Sequence, residues 1–508
     1  MSSSDALTSA GKADRDGPPV VAWRPWTRKA FDEAARGRKP VLLSITAPWC
    51  QGCAVMDRNC YEQPGIAATI QRRFVPVRVD ADRRPDIHDR YNLEGLPTTA
   101  FLTPSGEVLT GSTYLPPERL ASELLAVADA YTERGASLEE RASAAAAARR
   151  AGARDPQAAP PDLSAPEWFS QQIVKECDRQ HGGFGAGGRF LHADVLRVAL
   201  LVLARTPHED LRDALARTLD GMAEGAIHDR ADGGFFRYAR GRDWSGPHTE
   251  KLLHDQAGLV SVYLEAAQLL SRPAWNDVAR RTVAFVSQTL RDPIRGGFRA
   301  SRGGDEQYYA ASPEARRTMT APPIDGTVFV DANATAAGAW WTAARALQEP
   351  SLAEDARSAL HRIMSAYRPG QGVPHWVDDP EAVRGLLSDQ VHTAAALLDQ
   401  HEAGGDIQAV EAAEDLMRTA LRTMWDRDGG GFLDRQATPD DVGLLADPLK
   451  PLALNCLAAR VLARLSVLTG DPDLQQRAVA TVESQTPSYS RHGIAGAPYV
   501  EAVLELFG

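Results

Sequence analysis

The stretch Ala47-Pro-Trp-Cys-Gln-Gly-Cys53 decides the fold of the first part of the chain. It follows the apolar run 41–47 and precedes a segment of helical character at residues 54–61. A Cys-x-x-Cys pair between a strand and a helix is typical of a redox motif, because the free N–H groups and the dipole at a helix N-terminus stabilise a thiolate. We therefore expect Cys50 to be the exposed nucleophile and Cys53, one turn into the helix, to be the resolving thiol.

Zinc binding and an inert structural pair are the alternatives for these two cysteines. Zinc usually needs a second Cys or His pair at matching spacing, whereas the other three cysteines of the chain are single. We expect each of these three to be a buried, small apolar side chain; they are Cys60, Cys177 and Cys456. The motif thus favours thiol–disulfide exchange, and neither a metal site nor a cofactor is predicted.

The segments around the motif follow the order of elements of a thioredoxin-like α/β fold. The runs 74–80 and 96–101 have the composition of strands, and Pro104-Ser-Gly-Glu107 is a turn signal before a further strand. Helices are predicted at residues 26–36, 64–73, 85–91 and 116–134. We assign residues 21–134 to a thioredoxin-like domain.

Trp49, Pro97 and Thr98 are the predicted substrate-docking residues of this domain. In thioredoxin folds a cis-proline lies beside the Cys-x-x-Cys motif, and the resemblance makes Pro97 the candidate, since an X–Pro bond is otherwise cis in only about 5% of cases. Trp49 would cover an apolar docking surface, and the other two residues would present backbone to an extended peptide. Thioredoxins also keep a buried Asp on the strand before the motif. Ser44 has that spacing and cannot ionise in this range, so slow exchange or a redox-sensing role is a further alternative.

Composition and charge argue against several classes of function. The chain has 508 residues, of which 44% are hydrophobic and 24% charged, as in ordinary soluble globular proteins. Its net charge of −11 argues against binding to nucleic acid or to an anionic membrane, and no apolar run approaches the roughly 18 residues of a membrane span. Residues 1–20 are predicted to be disordered. They lack the apolar core of a signal peptide, so a cytoplasmic location is expected.

From residue 164 to residue 508 the chain repeats a helical pattern. Glycine-aromatic turns recur between a first helix and a second, more apolar one; the clearest are Gly182-Gly-Phe184, Gly233-Gly-Phe-Phe236, Gly296-Gly-Phe298 and Gly429-Gly-Gly-Phe432. The second helices are predicted at residues 194–205, 252–270, 330–347, 386–400, 452–468 and 499–507. Six hairpins can form an open solenoid or close into an (α/α)6 toroid. No polar capping repeat is apparent, so we favour the toroid, after a linker at 135–163 with a helical stretch at 139–150.

Polar side chains stand at the starts of the second helices, which would form the inner ring of the toroid. The glycine-aromatic turns would gather on one rim, so these side chains would meet in a central polar pocket. The predicted pocket residues are His192, His248, Glu250, Lys251, Asp255, Asp331, Asn333, Asp389 and His392. The alternative is a structural role, because Asp and Asn at helix starts commonly cap the helix.

Two groups of motifs resemble those of a known family. One group is Trp-Cys-x-x-Cys-x-Val-Met at residues 49–56 with Val79-Asp80-Ala-Asp82, and the other is Pro247-His248-x-Glu250-Lys251-x-Leu253-x-Asp255-Gln256. They are similar to motifs of the thioredoxin-fused six-hairpin proteins typified by spermatogenesis-associated protein 20, whose second half is similar to N-acylglucosamine 2-epimerase and six-hairpin glycosidase barrels. The family usually has Cys-His-Trp-Cys-His where this chain has Cys50-Gln-Gly-Cys-Ala54, so any role of those histidines is lost.

The resemblance implies carbohydrate chemistry in the barrel. Epimerases of this type use histidines as general acid and base, which would be His248 and His392 here, with Glu250 as the orienting group. A glycosidase would instead need two carboxylates roughly 5–10 Å apart. The candidates for such a pair are Glu250, Asp255, Asp331 and Asp389.

Three functions are compatible with this sequence. The first is a thiol–disulfide oxidoreductase that acts on a disulfide-containing protein or small molecule, with a barrel that binds or presents the substrate. The second is a sugar epimerase or hydrolase with a carbohydrate ligand and an accessory thioredoxin domain. The third is a non-catalytic, redox-sensing scaffold. The Cys-x-x-Cys context favours the first.

Overall fold

The computed structural model describes residues 21–152 and 157–508, and these residues divide into two compact units. The first unit contains residues 21–152 together with Thr438–Asp447, and the second unit contains the remaining described residues. The prediction that residues 1–20 are disordered lies outside the described residues.

The first unit is a small α/β domain around one mixed sheet. Its strands are β1 Val41–Thr46, β2 Val75–Asp80, β3 Thr98–Leu102 and β4 Val108–Ser112. The sheet order is β2-β1-β3-β4, with β1 parallel to β2 and antiparallel to β3, and β4 antiparallel to β3. Its helices are α1 Arg28–Gly37, α2 Gln51–Met56, α3 Pro64–Arg73, α4 Pro85–Tyr91 and α5 Pro117–Gly152, and a π-helical turn, Asp57–Tyr61, extends α2.

The central strand β1 explains the position of the cysteine motif. It pairs with a neighbour on both sides and is buried along nearly its whole length, which accounts for its apolar sequence. The register places Ile45 opposite Val79 of β2 and Thr98 of β3. The chain therefore leaves the middle of the sheet at the end of β1 and enters α2 through Cys50. This is the predicted thioredoxin-like arrangement.

The limits of the first unit differ from the sequence assignment. Helix α5 runs through the predicted linker as far as Gly152, with a break in helical geometry at Arg134 (φ −133°, ψ 19°). Residues 438–447, assigned to the barrel by sequence, pack within the first unit. The hydroxyl of Tyr91 accepts the N–H of Leu444 at 2.8 Å and donates to the carbonyl of Gly106 at 2.7 Å.

The second unit, among residues 157–508, consists of six helical hairpins. The first helices of the hairpins are α6 Ala165–Glu176, α8 Glu209–Glu224, α10 Trp275–Phe285, α14 Pro350–Ser365, α16 Ile407–Thr423 and α18 Pro472–Gln485. The second helices are α7 Ala193–Arg205, α9 Leu253–Leu269, α13 Val330–Leu347, α15 Leu387–Gly404, α17 Leu452–Thr469 and α19 Ala497–Phe507. A π-helical turn, Val286–Leu290, extends α10, and the short helices α11 Glu306–Ala310 and α12 Pro313–Arg316 precede α13.

The second helices form a closed inner ring. Each packs against the next in the order α7, α9, α13, α15, α17 and α19, and α19 packs back against α7. The (α/α)6 toroid is therefore confirmed over the open solenoid. Among the described helices, α17 is long and apolar enough, by length and composition alone, to cross a membrane. Its place in the inner ring, between α15 and α19, accounts for that composition.

Four of the glycine turns are held by one repeated contact. In three of them two consecutive glycines adopt positive φ, as at Gly233 (+80°) and Gly234 (+76°), a conformation that glycine adopts without steric cost, and in the fourth the two glycines, Gly370 and Gly372, are separated by one residue. An amide side chain of the following inner helix then accepts the backbone N–H of the next residue. The amides are Gln256, Asn333, Gln390 and Asn455, and the donors are Phe235, Phe298, Val373 and Phe432, respectively.

Two small antiparallel sheets lie in the segments that lead into the inner helices. One contains β5 Arg189–Phe190, β6 Tyr238–Ala239 and β7 Pro247–His248, and the other contains β8 Lys251–Leu252, β9 Ser301–Arg302 and β10 Ile324–Asp325. Because β8 runs directly into α9, the second sheet fixes where that helix begins.

Candidate functional site

Cys50 occupies the N-cap position of α2, with an extended backbone (φ −76°, ψ 103°). Its sulfur accepts a hydrogen bond from the backbone N–H of Cys53 at 3.1 Å. The two cysteines form a disulfide across a Cα–Cα distance of 5.2 Å. The start of the helix thus offers this sulfur both an N–H donor and the positive end of the helix dipole. The same groups would stabilise a Cys50 thiolate after reduction.

The peptide bond between Leu96 and Pro97 is cis, as expected, and lies beside the motif. A Cβ atom placed on Gly52 would lie 3.4 Å from Cδ of Pro97. Thr98 follows as the first residue of β3, is fully buried, and donates its hydroxyl to the carbonyl of Gly95 at 2.7 Å. Pro97 therefore flanks the motif, whereas the side chain of Thr98 stabilises its own loop.

Cys50 is less accessible than the sequence predicted. Only 6% of the residue is exposed, because its sulfur turns toward the start of α2. Trp49 is equally buried, and its indole N–H donates to the carboxylate of Asp82 at 2.6 Å, so the ring does not form an open docking surface. The prediction of an exposed nucleophile is therefore wrong for the disulfide form. The motif meets solvent chiefly through Gln51, which is exposed, and Gly52, which is half-buried.

The strand before the motif has neutral hydroxyls where thioredoxins carry a carboxylate. Ser44 is buried on β1, opposite Thr99 of β3. The hydroxyl of Thr99 lies 2.9 Å from that of Tyr61, and burial raises the pKa of Tyr61. Near neutral pH these groups stay protonated, so none of them replaces the carboxylate as a proton acceptor.

A cluster of histidines and carboxylates lies where three inner helices begin. His375, in the segment before α15, bonds through Nδ1 to Oδ1 of Asp389 at 2.8 Å. Asp331, in the first turn of α13, has a carboxylate oxygen within 4.8 Å of both. In the first turn of α9, Nε2 of His254 lies 3.1 Å from Oδ1 of Asp255. We refer to these five residues as the acid–base cluster.

The pKa values in the acid–base cluster are shifted in directions that suit proton transfer. Burial raises the pKa of Asp389 to about 6, against the opposing effect of His375. The carboxylate of Asp255 raises the pKa of His254 to about 9, and Asp331 adds to this effect. The His254 side chain is 61% exposed, so water screens part of this attraction. Near neutral pH the cluster therefore holds a proton donor and a carboxylate close to its titration point.

Lys251 does not face this cluster. Its ammonium is fully buried and donates to Oδ2 of Asp229 at 2.7 Å and to the carbonyl of Gly233 at 2.6 Å. Three aromatic rings surround it, those of Phe236, Phe285 and Tyr309. Although burial opposes ionisation, Lys251 and Arg316 hold the pKa of Asp229 below its usual range. The prediction of a pocket lysine is wrong, because the side chain leaves β8 toward the packed interior.

Three other predicted pocket residues, Asn333, Glu250 and His192, lie outside the acid–base cluster. Asn333 is fully buried and bonds both the N–H and the carbonyl of Phe298, at 2.7 and 2.9 Å, which is the structural role weighed as the alternative. Glu250 is buried as well. His192 stands at the N-cap of α7 in a left-handed conformation (φ 46°, ψ 43°), with its ring near that of Phe190. The assignment of Asn333 to an open pocket is corrected accordingly, whereas the place of Glu250 in a pocket stays a prediction.

His248 and His392 have different partners, so the predicted acid–base pair does not form through direct contact between them. The ring of His248 stacks on Tyr238 with centroids 4.0 Å apart, and burial lowers its pKa. Nδ1 of His392 lies 2.8 Å from the carbonyl of Ser388. The charge of His392 still acts on Asp389, so His392 borders the acid–base cluster.

His375 was missed by sequence reasoning, although a signal for it exists. It lies in Gly370-Gln-Gly-Val-Pro-His-Trp376, a degenerate copy of the glycine-aromatic turn. In the structure Val373 takes the place of the aromatic residue, because its N–H donates to Gln390 at 3.0 Å as Phe298 does to Asn333. An alignment of the turns on this contact places a histidine two residues after the donor, in the segment that leads into α15.

Comparison with known proteins finds relatives of both units. The model of the family described as "Thioredox_DsbH: Protein of unknown function, DUF255" matches residues 13–149. Spermatogenesis-associated protein 20 of Rattus norvegicus is 30% identical over 307 residues, which cover 56% of this chain and 39% of that protein. Thiol:disulfide interchange protein DsbD 1 of Pseudomonas aeruginosa is 35% identical over 82 residues, 15% of this chain and 14% of that protein. The resemblance stated from the sequence motifs is confirmed.

These matches have limited extent. The chain spans about two-fifths of the length of the curated relatives that match more than half of it. Cellobiose 2-epimerase from Bacillus thermoamylovorans superposes with a TM-score of 0.52 and 9% identity, covering 65% of this chain and 87% of that one. At this identity the likeness shows the fold alone, which is an epimerase-like (α/α)6 barrel.

Proposed function

We propose that the first unit carries out thiol–disulfide exchange through Cys50 and Cys53. The observation that supports this is the place of the Cys50 sulfur, which lies at the N-terminus of α2, accepts the N–H of Cys53 and pairs with Cys53 as a disulfide. The similarity of 82 residues of this chain to a protein named for thiol:disulfide interchange also supports it.

In the proposed reaction the Cys50–Cys53 dithiol gives two electrons to a substrate disulfide. The Cys50 thiolate attacks one substrate sulfur, the substrate S–S bond breaks, and the other sulfur leaves as a thiolate that takes a proton from water. Cys53, as a thiolate, then attacks Cys50 and releases the second substrate thiol. The motif is left as a disulfide, which an external thiol must reduce before the next turnover.

The low exposure of Cys50 bears on the substrate. Since only 6% of the residue is exposed, a disulfide in the surface of a rigid folded protein would not reach its sulfur. A small-molecule disulfide or an extended protein segment could approach along Gln51 and Gly52. We therefore propose these two kinds of substrate, and exchange that is slow because Ser44 replaces the proton-accepting carboxylate.

The test is reduction of oxidised glutathione and of insulin by the full chain, with dithiothreitol as the external thiol. We expect a rate above that of dithiothreitol alone, lost in Cys50→Ser and in Cys53→Ser. Cys177→Ser is the matched control, because Cys177 is a buried cysteine of the second unit, and it should keep the parent rate. A parent protein with no rate above background for either substrate would reject the proposal.

A second activity is favoured by one further observation, the acid–base cluster. We propose that it moves a proton at a carbohydrate carbon next to a carbonyl group, with His375 held by Asp389 as the base and His254 as the proton donor. The inner position of these side chains in an epimerase-like barrel supports a sugar as the ligand. This reaction needs no cofactor, because the proton is removed and returned at the same carbon.

Exchange of hydrogen for deuterium at that carbon tests this second activity. Reducing mono- and disaccharides are incubated with the protein in heavy water and followed by NMR. We expect exchange that is lost in His375→Ala and kept in His401→Ala, which lies on α15 outside the cluster and bonds the carbonyl of Asp406. Absence of exchange for all sugars, or equal exchange in the two variants, counts against it.

A further inference from the structure

Three potential metal ligands converge within the acid–base cluster. One ligand atom each from Asp331, His375 and Asp389 lies within 4.8 Å of the other two. Bonds from zinc to oxygen or nitrogen are about 2.0–2.2 Å long, so two ligands of one ion are at most roughly 4.4 Å apart. Small side-chain adjustments would therefore bring all three atoms to bonding distance from a common point.

Backbone hydrogen bonds join the segments that carry these ligands. The N–H of Val330, at the start of α13, donates to the carbonyl of His375 at 2.9 Å. The N–H of His375 donates to the carbonyl of Val383 at 2.7 Å, and its ring packs against Phe329 with centroids 5.3 Å apart. Asp389 follows in the first turn of α15. The three side chains thus come from segments that are fixed relative to one another, as a binding site requires.

The second carboxylate oxygen of Asp389 gives independent support for a bound ligand. Asp389 is fully buried, and His375 accounts for its Oδ1 atom. Its Oδ2 atom is also buried and has no hydrogen-bond partner among the described residues. A buried polar atom without a partner costs about 1–3 kcal/mol, and more when it is charged. A proton or a cation would remove that cost, and a cation could in addition bond the carboxylate of Asp331 nearby.

We propose that Asp331, His375 and Asp389 bind one divalent transition-metal ion. An imidazole with two carboxylates suits Zn²⁺ or Mn²⁺, whereas Ca²⁺ takes oxygen ligands. Three protein ligands leave a coordination position open, which distinguishes catalytic from purely structural zinc sites. A carbonyl or hydroxyl oxygen of a ligand in the barrel could occupy that position. In the metal-bound form His375 is a ligand and not the base of the proposed proton transfer. Metal binding is measured without any sugar, so its failure is distinguishable from failure of that second activity.

The test is binding of Zn²⁺ alone to the full chain that carries Cys50→Ser and Cys53→Ser. These substitutions remove the Cys-x-x-Cys pair, which could otherwise hold zinc at a second place in the chain. Binding is followed by calorimetry and by competition with a chromogenic chelator, with Ca²⁺ for comparison. We expect one Zn²⁺ per chain, no comparable binding of Ca²⁺, and affinity lowered by at least about 10-fold in His375→Ala and in Asp389→Asn.

His401→Ala serves as the matched control, because it removes a histidine of the same helix, α15, outside the cluster. Its affinity for Zn²⁺ should equal that of the parent. Asp331→Asn provides a second carboxylate variant at a half-buried position, should Asp389→Asn fail to fold, and circular dichroism checks each variant. Absence of stoichiometric Zn²⁺ binding by the parent, or an affinity unchanged in His375→Ala and Asp331→Asn, would overturn the proposal.

Discussion

Lys251 keeps its charge inside the second unit because protein groups replace water around its ammonium. The carboxylate of Asp229 and the carbonyl of Gly233 accept its hydrogens, and aromatic faces cover the remaining sides. Arg316 bonds the same carboxylate at 2.9 Å. This arrangement joins β8 to α12 through Asp229, which makes Lys251 a structural residue of the segment that leads into α9.

Replacement of Lys251 by methionine should lower the free energy of unfolding by about 3 kcal/mol, because a buried carboxylate loses one of its two cationic partners. Urea unfolding followed by tryptophan fluorescence measures the change. Arg240→Ala is the control, since Arg240 and Glu306 form an exposed ion pair. That pair contributes less than about 1 kcal/mol. Equal losses in the two variants would contradict the structural role assigned to Lys251.

The sequence singled out the block 247–256 as a candidate site, but it did not predict the directions in which the side chains of this block point. Lys251 and Asp255 lie four residues apart, and both were assigned to one pocket. In the structure Lys251 leaves a strand, whereas Asp255 leaves the first turn of a helix. The side-chain period changes from two to 3.6 residues at Leu253. Which face each residue takes depends on that change of period, and the sequence pattern does not specify it.

At the scale of elements, each inner helix from α9 to α17 is anchored to the preceding turn by a buried amide. Asn333 shows the contact most fully, since its Oδ1 accepts the N–H of Phe298 and its Nδ2 donates to the carbonyls of Phe298 and Phe329. The amide therefore satisfies the N–H and the carbonyl of Phe298, and it shares the carbonyl of Phe329 with the backbone N–H of Asn333. This contact fixes where α13 begins.

Asn333→Ala should lower the free energy of unfolding by about 3 kcal/mol, because it leaves the buried N–H and carbonyl of Phe298 without their amide partner, while the Phe329 carbonyl keeps the backbone N–H of residue 333. A thermal melt that follows helix content measures the loss. Gln408→Ala is the control, as Gln408 is exposed in the first turn of α16, and should change stability by less than about 0.5 kcal/mol. A melt unchanged in Asn333→Ala would show that the turn holds without its amide.

Helix positions in the barrel were predictable because the pattern is local and repeated. The predicted helix at residues 330–347 coincides with α13. The course of α5 was harder to predict. The alanine- and arginine-rich stretch before Gly152 has helix-forming composition but no strong apolar period. Composition alone therefore supported both a helix and a linker there.

For the whole chain, sequence predicted a thioredoxin-like unit followed by a toroid, and both are present. It did not predict that residues 438–447 pack in the first unit. That packing depends on contacts between residues far apart in the chain, such as the hydrogen bond between Tyr91 and Leu444. Neither the segment around Tyr91 nor residues 438–447 has a local sequence pattern that predicts contact with the other.

Closure of the inner ring depends on a contact between its first and last helices. Arg197 of α7 forms an ion pair with Glu501 of α19 through both carboxylate oxygens. Arg460 of α17 pairs with the same buried carboxylate at 2.8 Å. Glu501→Gln should therefore lower the free energy of unfolding by about 3 kcal/mol, because Arg197 loses its paired carboxylate and Arg460 loses one of its two. Glu505→Gln removes a more exposed partner of Arg460 and should cost less than about 1 kcal/mol.

The stabilisation from Glu501 should disappear in acid. Although burial opposes its ionisation, Arg197 and Arg460 hold the pKa of Glu501 below its value of 4.5 in the unfolded chain. A carboxyl group with a lowered pKa in the folded state stabilises the protein fully above the unfolded pKa, and that contribution falls as the pH passes down through the folded pKa. The difference in Tm between the parent and Glu501→Gln should thus be constant from pH 8 to pH 6 and shrink below about pH 4.5. A difference that stays constant down to pH 3 would mean that the carboxylate charge does not hold the ring closed.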